Sequence, residues 1–337
     1  RCAAAKGHFL VSGGTDDTIR IFNLRSGKDL GALYQHQGSV SCMKFYGEDS
    51  AGLPTHLLSG SDDKTICIWK VGNWAHMQTL SGHKGAVNDV AIHPTGSLGL
   101  SVARDGSLRM WDLGCAKLAA RVHLKGAEAS MVDFTAEGDE YILATDKKVA
   151  VHAAEGCEEV IQFKHEKRVL CMAQSKMEDA QILTGTDDGS IYGWDTATGD
   201  ESFAMKQAHS SRIRGIVSLP SWGDEQSSGH LFASGSSDGV VKVWDARMAT
   251  TSTSSSPQPL VETNTTARLT CLVVSTWKNH QKKTKAHKSD KSKQKRHLEE
   301  EETNKIETAA PHQEESNLPM ATGNKRKKQN TSRHLVK

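Results

Sequence analysis

Aromatic residues are scarce in this 337-residue chain, with 7 Trp, 7 Phe and 4 Tyr making up 5% of it. Long apolar runs are absent: no stretch approaches the ~18 consecutive apolar residues of a transmembrane helix. The seven cysteines (positions 2, 42, 67, 115, 157, 171 and 271) stand singly without a C-x-x-C pair. That spacing argues against a zinc cage and a disulfide framework, and it points to a reducing compartment. The opening RCAAAKGHFL lacks the charged, apolar and cleavage regions of a secretory signal, so the sequons at Asn264 and Asn330 are expected to stay idle. It also lacks an initiator Met, and the chain is expected to begin partway through a longer one. G-x-x-x-x-G-K-[ST], G-x-G-x-x-G opening a helix, H-E-x-x-H and G-x-S-x-G are all missing. The 16 His are dispersed without ligand spacing, so no metal, cofactor or catalytic residue is expected and the default is a non-enzymatic interaction scaffold.

What is present begins with a division of charge. The formal net charge of +2 splits into +8 over residues 278–337 and −6 over residues 1–277. The basic segment has no Phe, Trp or Tyr and few large aliphatics, too little apolar surface to offset chain entropy, so a disordered tail after Trp277 is expected. Its basic clusters include Lys293, Lys295 and Arg296, and the run Lys325, Arg326, Lys327 and Lys328. Such clusters serve as nuclear-localisation signals or phosphate-binding patches, and a nuclear or nucleolar address is expected.

The first 277 residues repeat. LVSGGTDDTIRIFN, LLSGSDDKTICIWK, LSVARDGSLRMWDL, ILTGTDDGSIYGWD and FASGSSDGVVKVWD each place an Asp six residues before an aromatic. A degenerate copy, ILATDKKVAVHA, keeps the spacing with Asp146 and His152, Ile142 standing where the others have Ser or Thr. The Asp positions 16, 63, 105, 146, 188 and 238 recur at a mean of 44 residues, the period of four-stranded propeller blades. In the second unit, strands are expected over 40–45, 57–60, 65–69 and 77–80, with a turn at Asp62-Asp63-Lys64.

On these motifs the chain resembles WD-repeat proteins over residues 1 to about 275. The resemblance implies a buried hydrogen-bond network in each blade from a loop His to the Asp, the Ser or Thr four residues before it, and the Trp. The sets would be His36, Asp63, Ser59 and Trp69; His83, Asp105, Ser101 and Trp111; His165, Asp188, Thr184 and Trp194; and His209, Asp238, Ser234 and Trp244. A Ser-His-Asp set that recurs four times is structural, because catalysis needs one nucleophile in a unique cleft. The degenerate unit, with His123 its nearest loop candidate, is expected to be less firmly fastened.

RLTCLVVS, residues 268–275, matches the inner strands VSCMKF and RVLCMAQ, after an outer strand near 259–263. It reads as the first strand of a seventh blade whose other three strands lie upstream of Arg1, giving an all-β, seven-bladed ring cut at its closure point. HQGSVSCMKFYG, GHKGAVNDVAIHPTGSLGLSV and NTTARLTCLVV, followed by the Lys-rich tail, are more specifically similar to the p21-activated-kinase-interacting proteins. That resemblance implies nucleolar assembly of the large ribosomal subunit, with pre-ribosomal proteins and ribosomal RNA as partners, or alternatively regulation of p21-activated kinase. Arg168, Arg212 and Arg268 each precede an inner strand, where earlier blades have Ser39 and Ala86. With Lys167 and Arg214 they form a candidate partner-binding arc, unless each Arg pairs with a neighbouring carboxylate.

Overall fold

The structure, a computed structural model, describes residues 1–175, 182–219, 230–251 and 258–275. The basic segment, with Lys293, Lys295, Arg296 and Lys325–Lys328, lies outside the described residues. Those that are described form six antiparallel sheets, each of four strands consecutive in the chain. Blade 1 runs from β1 (Cys2–Lys6) to β4 (Lys28–Tyr34), blade 2 from β5 (Val40–Glu48) to β8 (Ala75–Leu80), and blade 3 from β9 (Val87–Ile92) to β12 (Lys117–His123). Blade 4 runs from β13 (Ala129–Phe134) to β16 (Glu159–Lys164), and blade 5 from β17 (Val169–Gln174) to β20 (Glu201–Met205). Blade 6 runs from β21 (Ile213–Ser218) to β24 (Val261–Asn264), with a short helix α1 (Ala246–Thr251) before its last strand.

First strands of neighbouring blades touch, β1 with β5, β5 with β9, β9 with β13 and β17 with β21, which makes them the inner wall of a propeller. The last strands are its polar rim, as in β12, where only Val122 is even half-buried. The core is therefore divided into five layers between successive blades. Val11, Ile19 and Ile21 of blade 1 meet Leu57 and Trp69 of blade 2, and Leu183 and Ile191 of blade 5 meet Phe232 and Trp244 of blade 6. Alternation along each strand sends one set of side chains to the blade before and the other to the blade after, so both faces of a blade are apolar.

A small residue on the second strand lets blades close up. A Cβ on Gly60 would lie 2.8 Å from Val87 Cγ1, and one on Gly13 or Gly185 would lie 2.7 Å from Val40 Cγ1 or 2.9 Å from Ile213 Cγ2. Each glycine thus seats the first residue of the next inner strand. Gly235 seats Leu269 in the same way, at 3.3 Å. Arg268–Ser275 therefore follows the path of a next inner strand, and Ser275 Oγ donates to Gly7 O at 2.5 Å. Among the described residues no second strand stands beside it to exchange ladder hydrogen bonds, and the expected strand itself is not formed. Six blades are complete among the described residues.

Blade 4 also departs from the expected pattern. Val132 pairs with Leu143, as Met43 pairs with Ser59, so Leu143 and not Ile142 holds the Ser/Thr position. Leu143 is nine residues before His152, whereas Ser59 is ten before Trp69, and the two-residue turn joins Thr145 directly to Lys148. The other blades have a longer turn that needs a left-handed residue, supplied by Gly106, Gly189 and Gly239 and, with φ of 63° and 74°, by Asp17 and Lys64.

Candidate functional site

The repeated network is complete in blades 2 and 3. Trp69 Nε1 donates to Ser59 Oγ at 2.9 Å, Ser59 Oγ lies 2.8 Å from His36 Nε2, and His36 Nδ1 lies 2.9 Å from Asp63 Oδ2. The corresponding distances through Trp111, Ser101, His83 and Asp105 are 2.8, 2.7 and 3.2 Å. Gln37 N and Lys84 N donate to the same carboxylates, and Thr65 and Ser107 hydroxyls donate to the second oxygen. Both serines are fully buried, so their Oγ atoms are closed to any substrate. Burial opposes the charge on Asp63, yet the bonds from His36 and Thr65 prevail and hold its carboxyl well below the usual range. Burial likewise presses on His36, but Asp63 and Cys67 outweigh it and push the imidazole up to about 9. For His83 burial prevails over the bond to Asp105, helped by the charges of Arg109 and Arg121, and its pKa falls.

Blades 5 and 6 depart from the expected network. His165 Nε2 lies 2.8 Å from Thr184 Oγ1, and Trp194 Nε1 donates to that hydroxyl at 3.1 Å. His209 Nε2 lies 2.7 Å from Ser234 Oγ, and Trp244 Nε1 donates to it at 2.8 Å. Neither His165 Nδ1 nor His209 Nδ1 has a partner, so the His–Asp link is missing in both. Asp238 instead accepts from Ser210 Oγ at 2.7 Å, and Asp188 accepts from Thr186 Oγ1 at 2.6 Å. Burial without a carboxylate bond takes both imidazoles down to about 4. In blade 4 the exposed Lys125 stands four residues before the inner strand, where blades 2, 3, 5 and 6 have the loop His, and His123 is exposed at the end of β12.

A cation on the third strand clamps the chain just before the loop His, a feature that alignment of Cys67, Arg109, Tyr192 and Lys242 could have revealed. Arg109 Nη2 donates to Gly82 O at 2.5 Å, and Lys242 Nζ donates to Ala208 O at 3.0 Å. The inner wall holds a second feature outside the repeat pattern. Lys44 of β5 lies 3.3 Å from Asp133 of β13, past Asp89 of β9, which accepts from Val132 N at 3.0 Å and whose carboxyl burial pushes up to about 6.

The rim arginines follow a rule across blades. The residue before an inner strand faces a turn residue of the preceding blade: Glu128 faces Arg104 at 3.9 Å, Arg168 faces Asp146 at 3.6 Å, and Arg212 faces Asp187 at 3.5 Å. Asp146, the Asp that keeps the repeat spacing in the degenerate copy, is in this exposed rim position because the shorter turn of blade 4 removes the inward carboxylate. Arg268 occupies the same place before Leu269, but Ser237 stands opposite it in the turn. Burial, then the charges of Arg212 and Arg268, lower the pKa of Arg214 against the opposing charge of Asp187. Lys167 is exposed beside Arg168.

Against known proteins, the model of the WD domain, G-beta repeat, matches residues 27–70, 74–112, 157–195 and 204–245. It passes over 113–156, where most of the altered blade 4 lies. A p21-activated protein kinase-interacting protein 1-like protein of Xenopus laevis is 31% identical over 269 residues, 80% of this chain and 69% of the relative. The p21-activated protein kinase-interacting protein 1 of Homo sapiens is 37% identical over 271 residues, 80% of this chain and 64% of its own length. Shk1 kinase-binding protein 15 of Schizosaccharomyces pombe is 24% identical over 165 residues, 46% of this chain and 41% of its own. With its buried Trp–Ser–His–Asp network, its six blades and this likeness across four-fifths of its length, the chain belongs to the p21-activated protein kinase-interacting protein 1 family of WD-repeat proteins.

Proposed function

We propose that this protein is a non-enzymatic scaffold of nucleolar large-subunit assembly, holding pre-ribosomal proteins on its propeller and reaching ribosomal RNA with its basic segment. The observation that carries the scaffold reading is that the Ser or Thr and the His of blades 2, 3, 5 and 6 are used for holding blades together: the hydroxyls of Ser59, Ser101, Thr184 and Ser234 are all completely buried and bonded to their His. What remains for function is the charged rim and the +8 segment at 278–337, next to a body of −6. Opposite charge on the two parts suits a protein that meets a polyanion with one part and proteins with the other. Deleting 278–337 from a fluorescent fusion is expected to shift it from nucleolus to cytoplasm, and undiminished nucleolar signal would overturn that segment as the address.

A second reading, binding of a p21-activated kinase, draws support from the names of the relatives, which describe kinase-interacting proteins. Purification of the tagged protein with identification of its companions separates the two: large-subunit precursors favour the first, a kinase alone favours the second.

The ring of this scaffold is read as seven-bladed. Ser12 of blade 1 is half-exposed although its equivalents in blades 2, 3, 5 and 6 are fully buried, and Arg20 is exposed where Arg109 and Lys242 clamp a preceding loop. On the other flank Val241 and Val243 of blade 6 are half-exposed, whereas Ile66 and Ile68 of blade 2 are buried. Three more strands outside Arg268–Ser275 would cover both flanks, as edge protection in a closed ring requires.

A further inference from the structure

We propose that Arg214 and Arg268, with Arg212 beside them, form a carboxylate-binding site that takes an acidic peptide segment of a partner protein. The proposal deepens the reading of the propeller as a protein-binding scaffold and rests on it.

At three successive steps between blades, the residue before an inner strand meets an opposite charge on the blade before: Glu128 meets Arg104, Arg168 meets Asp146, and Arg212 meets Asp187. At the next step the cation is kept and the acid is gone. Leu269 is seated on Gly235 as Ile213 is on Gly185, so Arg268 is placed like Arg212, and the turn offers it Ser237 in place of Asp187. Among the described residues, neither Arg268 nor Arg214 has an ion pair or a side-chain hydrogen bond.

Arg214 makes the deficit larger. It holds the second position of its inner strand, where Ser41 and Asn88 reach across to the next blade: Ser41 Oγ donates to Val87 O at 2.6 Å, and Asn88 Nδ2 to Ala129 O at 2.8 Å and Glu128 Oε1 at 3.0 Å. In that geometry Asn88 meets the residue before the next inner strand, which for Arg214 is Arg268. Three guanidiniums therefore converge with one carboxylate, Asp187, on Arg212. Like charges held together in a folded chain cost stability unless an anion joins them, and planar forks suit carboxylates in pairs.

The missing group identifies the ligand class. The rule supplies a carboxylate at the equivalent points, so a carboxylate from outside fits the vacant one. The site is also small, three arginines on a body of net charge −6. A nucleic acid, charged at every nucleotide, would run from the arginines onto the acidic body, whereas a peptide can place two or three acids and stop.

The test uses the full chain and a fluorescent, photo-crosslinkable peptide of six glutamates. Adducts are expected within 210–216 and 266–272. Arg214→Gln with Arg268→Gln is expected to weaken binding about tenfold or more, since bonds to charged groups are strong. Ser237→Asp is expected to weaken it in the same direction while leaving every arginine in place, because it restores the absent counter-charge. Arg104→Gln, which removes a paired rim arginine outside the arc, is expected to change little. Equal affinity of wild type and both site variants, or adducts confined to 278–337, would overturn the proposal. So would an RNA oligonucleotide that displaces the peptide and loses more affinity than it does in the variants. Peptide binding is read without ribosomes, so its outcome is distinct from that of the assembly role.

Discussion

Asp105 and Asp188 occupy the same place in two blades, yet their hydrogen bonds differ. Asp105 accepts from His83, Lys84 N and Ser107, while Asp188 accepts from Thr186 and Ser190 and leaves His165 alone. Removing Asp105 leaves a buried imidazole and a backbone N–H unpaired, so Asp105→Ala is expected to cost ~1–3 kcal/mol in urea melts and Asp188→Ala less. Asp146→Ala breaks an exposed pair and is expected to cost ~0–1 kcal/mol. Equal losses for all three would contradict the assignment. The histidines also set a pH profile. His165 and His209 titrate near 4 in the fold against an ordinary 6.5, so the unfolded chain binds more protons between those values and stability falls as pH drops from 6.5 towards 4. His36, raised to about 9, contributes fully below 6.5 and loses its contribution as pH rises through 9. Thermal melts from pH 4 to 10 are expected to show both limbs, with His165→Asn flattening the acid one and His36→Asn the alkaline one; unchanged limbs would contradict these burial arguments.

At the scale of the element, the glycine seat distinguishes closed from open steps around the ring. Gly60→Ala would drive a methyl into Val87 and Cys42 and is expected to cost ~1–3 kcal/mol, whereas Gly235→Ala, with its nearest atom at 3.3 Å, is expected to cost less. Urea melts of the two variants read the difference, and a larger loss for Gly235→Ala would contradict the seating of Leu269. The strand positions of the second unit were legible in the sequence because alternation and turn residues mark them: the expected 57–60 and 65–69 fall in Pro54–Ser61 and beside Ile66–Lys70. Blade 4 was misread by one residue, since Asp146 and His152 keep the six-residue spacing while the shorter turn shifts everything before them. Only pairing across the sheet exposes that shift. The His–Asp breaks in blades 5 and 6 were also hidden, because they depend on which hydroxyl, Ser210 or Thr186, reaches the carboxylate first.

For the whole molecule, period and motif sufficed to indicate a propeller and its family, as repeats of this kind contact mainly their neighbours and so write the same pattern into every unit. The site was less legible. The arc of Arg168, Arg212 and Arg268 could be found by counting from the loop His, but which of them carries unneutralised charge depends on the facing blade, Asp146, Asp187 or Ser237. The role proposed for the chain is that of a scaffold within large-subunit precursors. It is tested most directly by density-gradient sedimentation of nuclear extract containing the tagged protein, with probing for precursor ribosomal RNA and for p21-activated kinase. Co-migration with particles that contain large-subunit precursor RNA is the predicted result; a protein found solely in light fractions, with kinase and without that RNA, would contradict the account.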